Sequence, residues 1–516
     1  MKRIALSILG IILLGCVGGL KSQNDRPFRI ELQAPEDAYP YDVLNLGEKG
    51  LVVYFENEVL SKTEINWRFV HYDVFFKKRW SMDIPMLRNM EPQVSYVDST
   101  RIAMLLKYDG KKKPGVFHKF VTIRLKDTVK VSIDLPFVRD VAPNLLYAGD
   151  DRAYFSYYND DKEQFFLLRY ADGKTQEIAF PELDKAYVQF VQPIPNSSQL
   201  IVCVRNDIGK KANQLRFYRM SVDGLIVSST MIPNSENVFF NRARAVRLHD
   251  DTVMIMGSYV LKNSISGGVL TPSAEQSTGV FTAILSDRMS VDSARYFNFA
   301  HNALIFKYLS KKEQEKMKKR LDDPGDRDNL SLNLQILLHE PLKTDSSIVF
   351  LVEAYYPEYR TEENVNYDFY GRPFPNNRTY FEGYRYTNAI IGGFNPKGEL
   401  LWDNNFSLNE VISYDLKPRV ALCADSNVVL LAFSNDGNIN TAAIMGYTVV
   451  QNPERSRIEP MNASDFVIKT EKPQIEHWYK NYFLSYGYQK IRSTGKGTKN
   501  RDNAFFLNKM IYKNVD

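Results

Sequence analysis

Three cysteines in 516 residues exclude a disulfide framework, the device by which small exported domains make up for a thin core. Cys16 lies near the N-terminus. Cys203 and Cys423 sit in the strand-like runs LIVCVRN and RVALCAD, where buried free thiols are expected. Histidine is nearly as scarce. The six stand at 71, 118, 249, 301, 339 and 477, no two of them four apart, and there is no HExxH and no Cys-x-x-Cys. A zinc site has no signature here, and no metal is expected. Neither a G-x-S-x-G elbow nor a dinucleotide fingerprint occurs, and no cofactor is expected. DDPGDRDN (Asp322 to Asn329) lacks the spacing and closing glutamate of a calcium loop. GKGTKN (Gly495 to Asn500) lacks the first glycine of a P-loop. A net charge of +5 is slight for this size, so no nucleic-acid partner is expected.

What is abundant is apolar and aromatic, 44% and 13% of residues, ample for a large core. It is also periodic. An apolar strand end, a polar corner and a second apolar strand recur in YVDSTRIAMLL at Asp98, YAGDDRAYFSY at Asp150, IPNSSQLIVCV at Ser197 and RLHDDTVMIMG at Asp250. LKTDSSIVFLV at Asp345, ALCADSNVVLLA at Asp425 and, more loosely, NLGEKGLVVYF at Glu48 extend the set. Asp, Asn, Ser and Gly between runs of Val, Ile, Leu and Tyr are hairpin signals, because they tolerate tight backbone angles. From 48 to 98, 98 to 150, 150 to 197 and 197 to 250 the steps are 50, 52, 47 and 53 residues. Such a period means a repeat array. Ile84-Pro85, Leu135-Pro136, Phe180-Pro181 and Ile232-Pro233 keep the same beat. Proline cannot donate to a ladder, so each fits the end of an edge strand. Every unit then holds four antiparallel strands with the last at an edge.

The N-terminus reads as a targeting segment, residues 1–22. Lys2 and Arg3 precede an apolar run, Ile4 to Leu14, too short to span a bilayer. Leu13-Leu14-Gly15-Cys16 resembles a bacterial lipobox, which implies a lipid on Cys16. Ordinary cleavage after Ser22 is the alternative. Either way the chain is expected to be exported to the cell envelope.

In chain order, FRIEL (Phe28 to Leu32) precedes units at about 43–85, 93–136, 144–181, 187–233 and 243–300. The fifth carries a Gly/Ser/Pro-rich insert at 263–277. The rhythm breaks at 301–333, where YLSKKEQEKMKKRL (Tyr308 to Leu321) predicts a helix, capped by Ser310 and Glu313. A sixth unit spans 334–409 with an insert at 360–383. A seventh begins near Lys417, its fourth strand unresolved by pattern. NYFLSYGYQKI and NAFFLNKMIY end the chain as a hairpin. With FRIEL, that hairpin suggests a unit built from both chain ends, which removes open sheet edges.

This rhythm resembles the β-propeller superfamily over nearly all of residues 23–516, which implies an all-β ring of four-stranded blades. Eight blades are preferred to seven because the paired termini add one. The glycine-histidine and tryptophan-aspartate pairs of WD40 repeats and the double glycines of kelch do not recur. FNPKGELLWD (Phe394 to Asp403) is similar to one repeat of quinoprotein-like propellers through Gly398 and Trp402, but the other units lack that tryptophan.

In a blade with strands A to D, direction alternates, so A–B and C–D turns share one face and B–C loops lie on the other. The repeated corners are the A–B turns, and the C–D turns (Lys126-Asp127, Asp172-Gly173, Asp223-Gly224, Ser286-Asp287) are equally short. The long insertions at 110–115, 207–213, 263–277, 360–383 and 492–503 are B–C loops. Function concentrates on elaborated loops of a rigid scaffold. Lys111, Lys112 and Lys113, with Lys210, Lys211, Lys496 and Lys499, make that face basic. The sixth unit adds Tyr359, Arg360, Tyr367, Phe369, Tyr370, Arg372, Arg378, Tyr380 and Phe381, flanked by Tyr355, Tyr356, Phe374, Tyr384, Arg385 and Tyr386. Tyrosine and arginine dominate binding hot spots; the plainer role for these rings is packing the insert onto the ring. The expectation is an envelope binding or scaffold protein with a protein partner on the B–C face. A glycan-binding module using the same rings, or a glycan-acting enzyme with carboxylates at the ring axis, is the alternative.

Overall fold

A computed structural model describes residues 28–511 apart from 37, 111–115, 138–140, 160–161, 182–184, 209–211, 234–236, 250–251, 262–275, 302–310, 323–333, 368, 426–427, 436, 447 and 493–500. The segment expected to be a targeting signal, with Cys16, and Lys111, Lys112 and Lys113, lie outside the described residues.

The described strands form eight antiparallel sheets, which are the blades of a β-propeller. Seven take their four principal strands from one continuous stretch, and the eighth draws on both chain ends. Blade 1 holds Asp42–Asn45, Leu51–Val59, Glu64–Tyr72 and Lys78–Leu87 as strands A to D. Blade 2 spans Met90 to Leu135, blade 3 Ala142 to Glu177, blade 4 Ala186 to Met231 and blade 5 Val238 to Asn298. Blade 6 runs from Leu334 to Ser413 and blade 7 from Val420 to Arg457. Blade 8 has Phe466–Tyr479, Tyr482–Arg492 and Arg501–Ile511 as A to C, and Phe28–Gln33 as its outermost strand.

Alternating side chains make the ring. Strand B of blade 2, Arg101–Tyr108, is buried almost throughout because both of its faces are covered. Ile102, Met104 and Leu106 enter the core shared with blade 1, while Ala103 and Leu105 enter the core shared with blade 3. Each fully buried Leu or Ile stabilises by about 1.5–3 kcal/mol. Eight such cores join successive blades, the last between blades 8 and 1. Outermost strands bury one side only, as in Ile226–Met231, where half-buried and exposed residues alternate. Cys203 lies in the core between blades 4 and 5 and Cys423 in that between blades 7 and 8, both as buried free thiols.

The corners work as their chemistry predicts. At the A–B turn of blade 2, Asp98 Oδ1 accepts from Thr100 N at 2.6 Å, Thr100 Oγ1 at 2.7 Å and Arg101 N at 2.9 Å, a local substitute for ladder bonds. Arginines then tie turn to turn around this face. Arg101 reaches Gly149 O and Asp150 of blade 3, and Arg152 donates to Val222 O and Asp223 of blade 4, both at 2.7 Å.

Closure follows the expectation from the termini. Phe28 to Gln33 pair with Lys509 to Ala504. Arg29, buried, donates to Gln489 Oε1 at 2.7 Å and lies over the Phe506 ring. Lys509 Nζ donates to Val74 O of blade 1 at 3.1 Å. Its ammonium sits 4.1 Å from the Tyr482 ring centroid and 5.0–5.7 Å from those of Tyr479, Phe75, Phe28 and Trp478.

Four elements add to or refine the sequence expectations. Strand A of blade 8, Phe466–Tyr479, was not anticipated; Pro473 falls at a bulge where pairing skips from Glu471 to Gln474, which disguises the alternation. The fourth strand of blade 7 is Thr448–Arg457. The helix is Lys311–Asp322, on a D–A connection, and the capping position Ser310 lies outside the described residues. Of the insert at 263–277, Gln276 and Ser277 form a short strand against Gln335 and Leu334, on the inner side of blade 6.

Candidate functional site: the extended hairpin of blade 6

The segment 360–383, expected as a loop, is strand over 360–367 and 373–383. Strand B of blade 6 is Ile348–Tyr367 and strand C is Pro373–Phe394, 20 and 22 residues long. Their pairing continues without a break in partners from Ile348 with Phe394 to Tyr367 with Pro373, with register shifts at 354/355 and 358/359. Alternation was hidden by the Glu, Asn and Arg content, which reads as loop when the strand has no buried face. The neighbours stop early. Among the described residues, strand A pairs with strand B only as far as Tyr355, and strand D pairs with strand C only as far as Tyr384. Among the described residues the hairpin from Glu358 to Tyr367 is a two-stranded ribbon, roughly 30 Å long at strand rise.

An aromatic run follows one face outwards. Tyr386 and Tyr355 are buried in the core shared with blade 7, their centroids 6.2 Å apart. Tyr384 meets Tyr355 at 5.7 Å and Phe381 at 5.1 Å. Phe381 then meets Tyr359 at 5.6 Å and Tyr414, just past strand D, at 6.4 Å. Exposure rises along the run from 1% at Tyr386 to 60% at Tyr359 and 73% at Tyr414, so one stack is anchored at its inner end and open at its outer. The inner rings therefore pack the insert onto the ring, and the outer ones do not. At the tip Phe369 is 97% exposed, its centroid 5.7 Å from Tyr370, and the Arg372 guanidinium lies 5.9 Å from the Tyr370 centroid. Arg385 is bound to both Glu358 oxygens at 2.8 and 2.9 Å, which holds the base of the ribbon and raises the arginine pKa. Arg360 lies opposite the half-exposed ring of Tyr380, and Arg378 opposite Glu362. Tyr367 pairs with Pro373 at the ribbon end. Of the basic loop residues, Lys210, Lys211, Lys496 and Lys499 lie outside the described residues.

Sequence reasoning missed the buried carboxylates. Glu353 in strand B of blade 6 is fully buried. Its carboxylate accepts from Arg419 N and Val420 N of blade 7, both at 2.8 Å, and meets His339 Nε2 at 2.6 Å. Glu163 in blade 3 accepts from Asn144 Nδ2 at 2.8 Å, from Ser156 Oγ, and from Val188 N of blade 4 at 2.8 Å. Burial raises the Glu163 pKa against these donors. Glu476 accepts from Tyr486 OH at 2.6 Å, and burial raises its pKa, helped by Asp42. Acid beside histidine looks catalytic in isolation. Here Glu353 has each oxygen engaged by backbone of the next blade, so it acts as a clamp between blades. Among the described residues no group of three or more His, Cys, Asp or Glu side chains is arranged to hold a metal ion.

The ring and its ribbon define a class, a β-propeller with one blade drawn out into a β-arm. No protein-family model matches the chain, and no curated protein matches it. Some solved structures are similar to it. The WD40 domain of SCAP from fission yeast is 7% identical, covering 93% of this chain and 97% of its own, with a TM-score of 0.42. The polysaccharide lyase Uly1 is 8% identical over 81% of this chain and 89% of its own, with a TM-score of 0.39. The β-propeller domain of the Trilobed protease from Pyrococcus furiosus is 9% identical over 83% and 97%, with a TM-score of 0.34.

Proposed function

We propose that this protein is an exported binding or scaffold propeller of the cell envelope that holds a protein partner through the outer aromatic face of its blade 6 ribbon. A lipid on Cys16 would fix the chain to a membrane. One observation carries the binding reading: the stack from Tyr386 to Tyr359 and Tyr414 begins in the core and ends in solvent. Rigid, pre-positioned rings lose little conformational freedom on association, which is why tyrosine is favoured in hot spots. Arg372 supplies a donor beside Tyr370 at the tip, and Arg360 and Arg378 lie in the rows of Tyr380 and Glu362 on the other face of the ribbon. The same outer rings could stack on a glycan, and the test separates the two.

The experiment replaces residues 360–381 with a short Asn-Gly turn, keeping the ladder from Ile348 to Glu358. The melting temperature should stay within a few degrees, because loop length enters closure entropy only logarithmically. Capture of proteins from envelope extracts by the shortened protein should fall at least tenfold. Normal capture would make the ribbon decoration, and retention on envelope polysaccharide lost with the ribbon would favour the glycan reading.

A further inference from the structure

The ribbon has two outer edges, and they differ. Strand C carries Pro373 and Pro375, which have no N–H to offer a neighbour. Strand B runs from Glu358 to Tyr367 without proline, glycine or lysine. Among the described residues no strand pairs with it past Tyr355. An open edge of this length receives another strand unless it is blunted.

The side chains along this edge are complementary to themselves. Take two copies of strand B antiparallel about a twofold axis through Thr361. Arg360 then lies opposite Glu362 of the second copy, and Glu362 opposite its Arg360. Both residues are exposed, and within one chain their charged groups are 4.0 Å apart, so each can turn to a new partner. Thr361 already faces Thr379 with hydroxyl oxygens 3.2 Å apart, so the central row would hold four threonines. Arg378 already lies opposite Glu362. The flanking rows would read Tyr380, Arg360, then Glu362 and Arg378 of the second copy. Threonine pairs and opposite charges directly across strands are favourable, and a twofold axis makes every such pairing occur twice.

We propose that the free edge of strand B pairs with the same edge of a second copy, joining two propellers through one four-stranded sheet. The contact uses the edge of the ribbon and leaves its aromatic face open. It therefore stands or falls separately from partner binding, and it is read on the purified protein alone.

Light scattering across a concentration series should give a dimer for the unaltered protein. Arg360→Glu and Glu362→Arg each make both charged pairs repulsive, and each should weaken self-association about tenfold or more. An equimolar mixture of the two variants makes every pair opposite in sign again, and should dimerise as the unaltered protein does. Melting curves on the same samples show that the variants fold, which exposed substitutions on an unsupported ribbon permit. A monomer at every concentration would overturn the proposal. So would dimers in both single variants, or a mixture that associates no better than its components.

Discussion

Asn213, on strand C of blade 4, meets Phe240, on strand A of blade 5, in the manner of a neighbouring strand. Its Nδ2 donates to the Phe240 carbonyl at 2.5 Å, and its Oδ1 accepts from the Phe240 N–H at 2.8 Å. Two tyrosines repeat the arrangement with a single hydroxyl. Tyr386 OH donates to Lys417 O at 2.7 Å and accepts from its N–H at 3.2 Å. Tyr488 OH does the same to Tyr41 at 2.9 and 2.7 Å. In blades 1, 5 and 7, among the described residues, strand A has a neighbour on one side only, so a side chain from the preceding blade satisfies exposed groups on it or at its entry.

Removing the amide at the first of these joints should cost more than one hydrogen bond. Asn213 is fully buried, and Asn213→Leu leaves both Phe240 groups without a partner, an expected loss of about 2–4 kcal/mol. Tyr386→Phe removes one hydroxyl and should cost about 1–2 kcal/mol. Urea unfolding checks both, with the midpoint lowered and the slope unchanged. A midpoint for Asn213→Leu equal to that of the unaltered protein would show that the joint does not depend on the clamp.

Glu163 predicts a pH dependence with a definite sign. Burial raises its folded pKa above the unfolded carboxylate value, so the folded state holds the proton more tightly. Its contribution is fully present below the unfolded value of about 4.3 and is lost as pH rises through the folded pKa. Compared with Glu163→Gln, which cannot titrate, the unaltered protein should therefore lose relative stability as pH rises from that value. Urea midpoints of both proteins over a pH series check this. A midpoint of the unaltered protein that rises relative to that of Glu163→Gln as pH increases would reverse the sign and contradict the burial argument.

Closure rests on the N-terminal strand. Deleting residues 23–33 should expose the outer edge of Arg501–Ile511, unseat Arg29 from Gln489, and remove Phe28 from above Lys509. A lower melting temperature and aggregation through the bared edge are expected. In the intact chain, Lys509→Met should cost about 1–2 kcal/mol through loss of the cation from its rings. Scanning calorimetry reads both, and an unaltered transition in the deletion would mean that the ring holds without its last strand.

Anchoring has a direct test. If Cys16 carries lipid, Cys16→Ser should release the protein from membranes into the soluble fraction and abolish incorporation of a labelled fatty acid. A soluble unaltered protein beginning at Gln23 would establish ordinary cleavage instead.

Salt should separate the two parts of the B–C face. Replacing Lys111, Lys112 and Lys113 with Gln should weaken partner binding at low ionic strength and have little effect at 0.5 M salt or above, roughly where screening falls to a few ångströms. Tyr359→Ala with Phe381→Ala should weaken it at both, since the contact is apolar. Binding isotherms at two salt concentrations distinguish these behaviours.

The sequence by itself determined the ring: the period near fifty, the Asp-led corners, the proline-marked edges and the strand that closes blade 8. Those features are local, since an Asp98 that caps its own turn and a Leu135-Pro136 that ends its own strand need no distant partner. Only tertiary structure decided the rest. Pro473 hid an innermost strand that pairing to Tyr482–Arg492 secures. The polar content of 360–383 concealed a ribbon, because its strands pair with each other and bury neither face. Among its tyrosines, Tyr355 and Tyr386 went to the core and Tyr359 to solvent, a division set by where strand D and blade 7 end. Glu163, Glu353 and Asn213 carry no motif, because a clamp is defined by the backbone of the next blade, which lies 25 to 67 residues further along the chain.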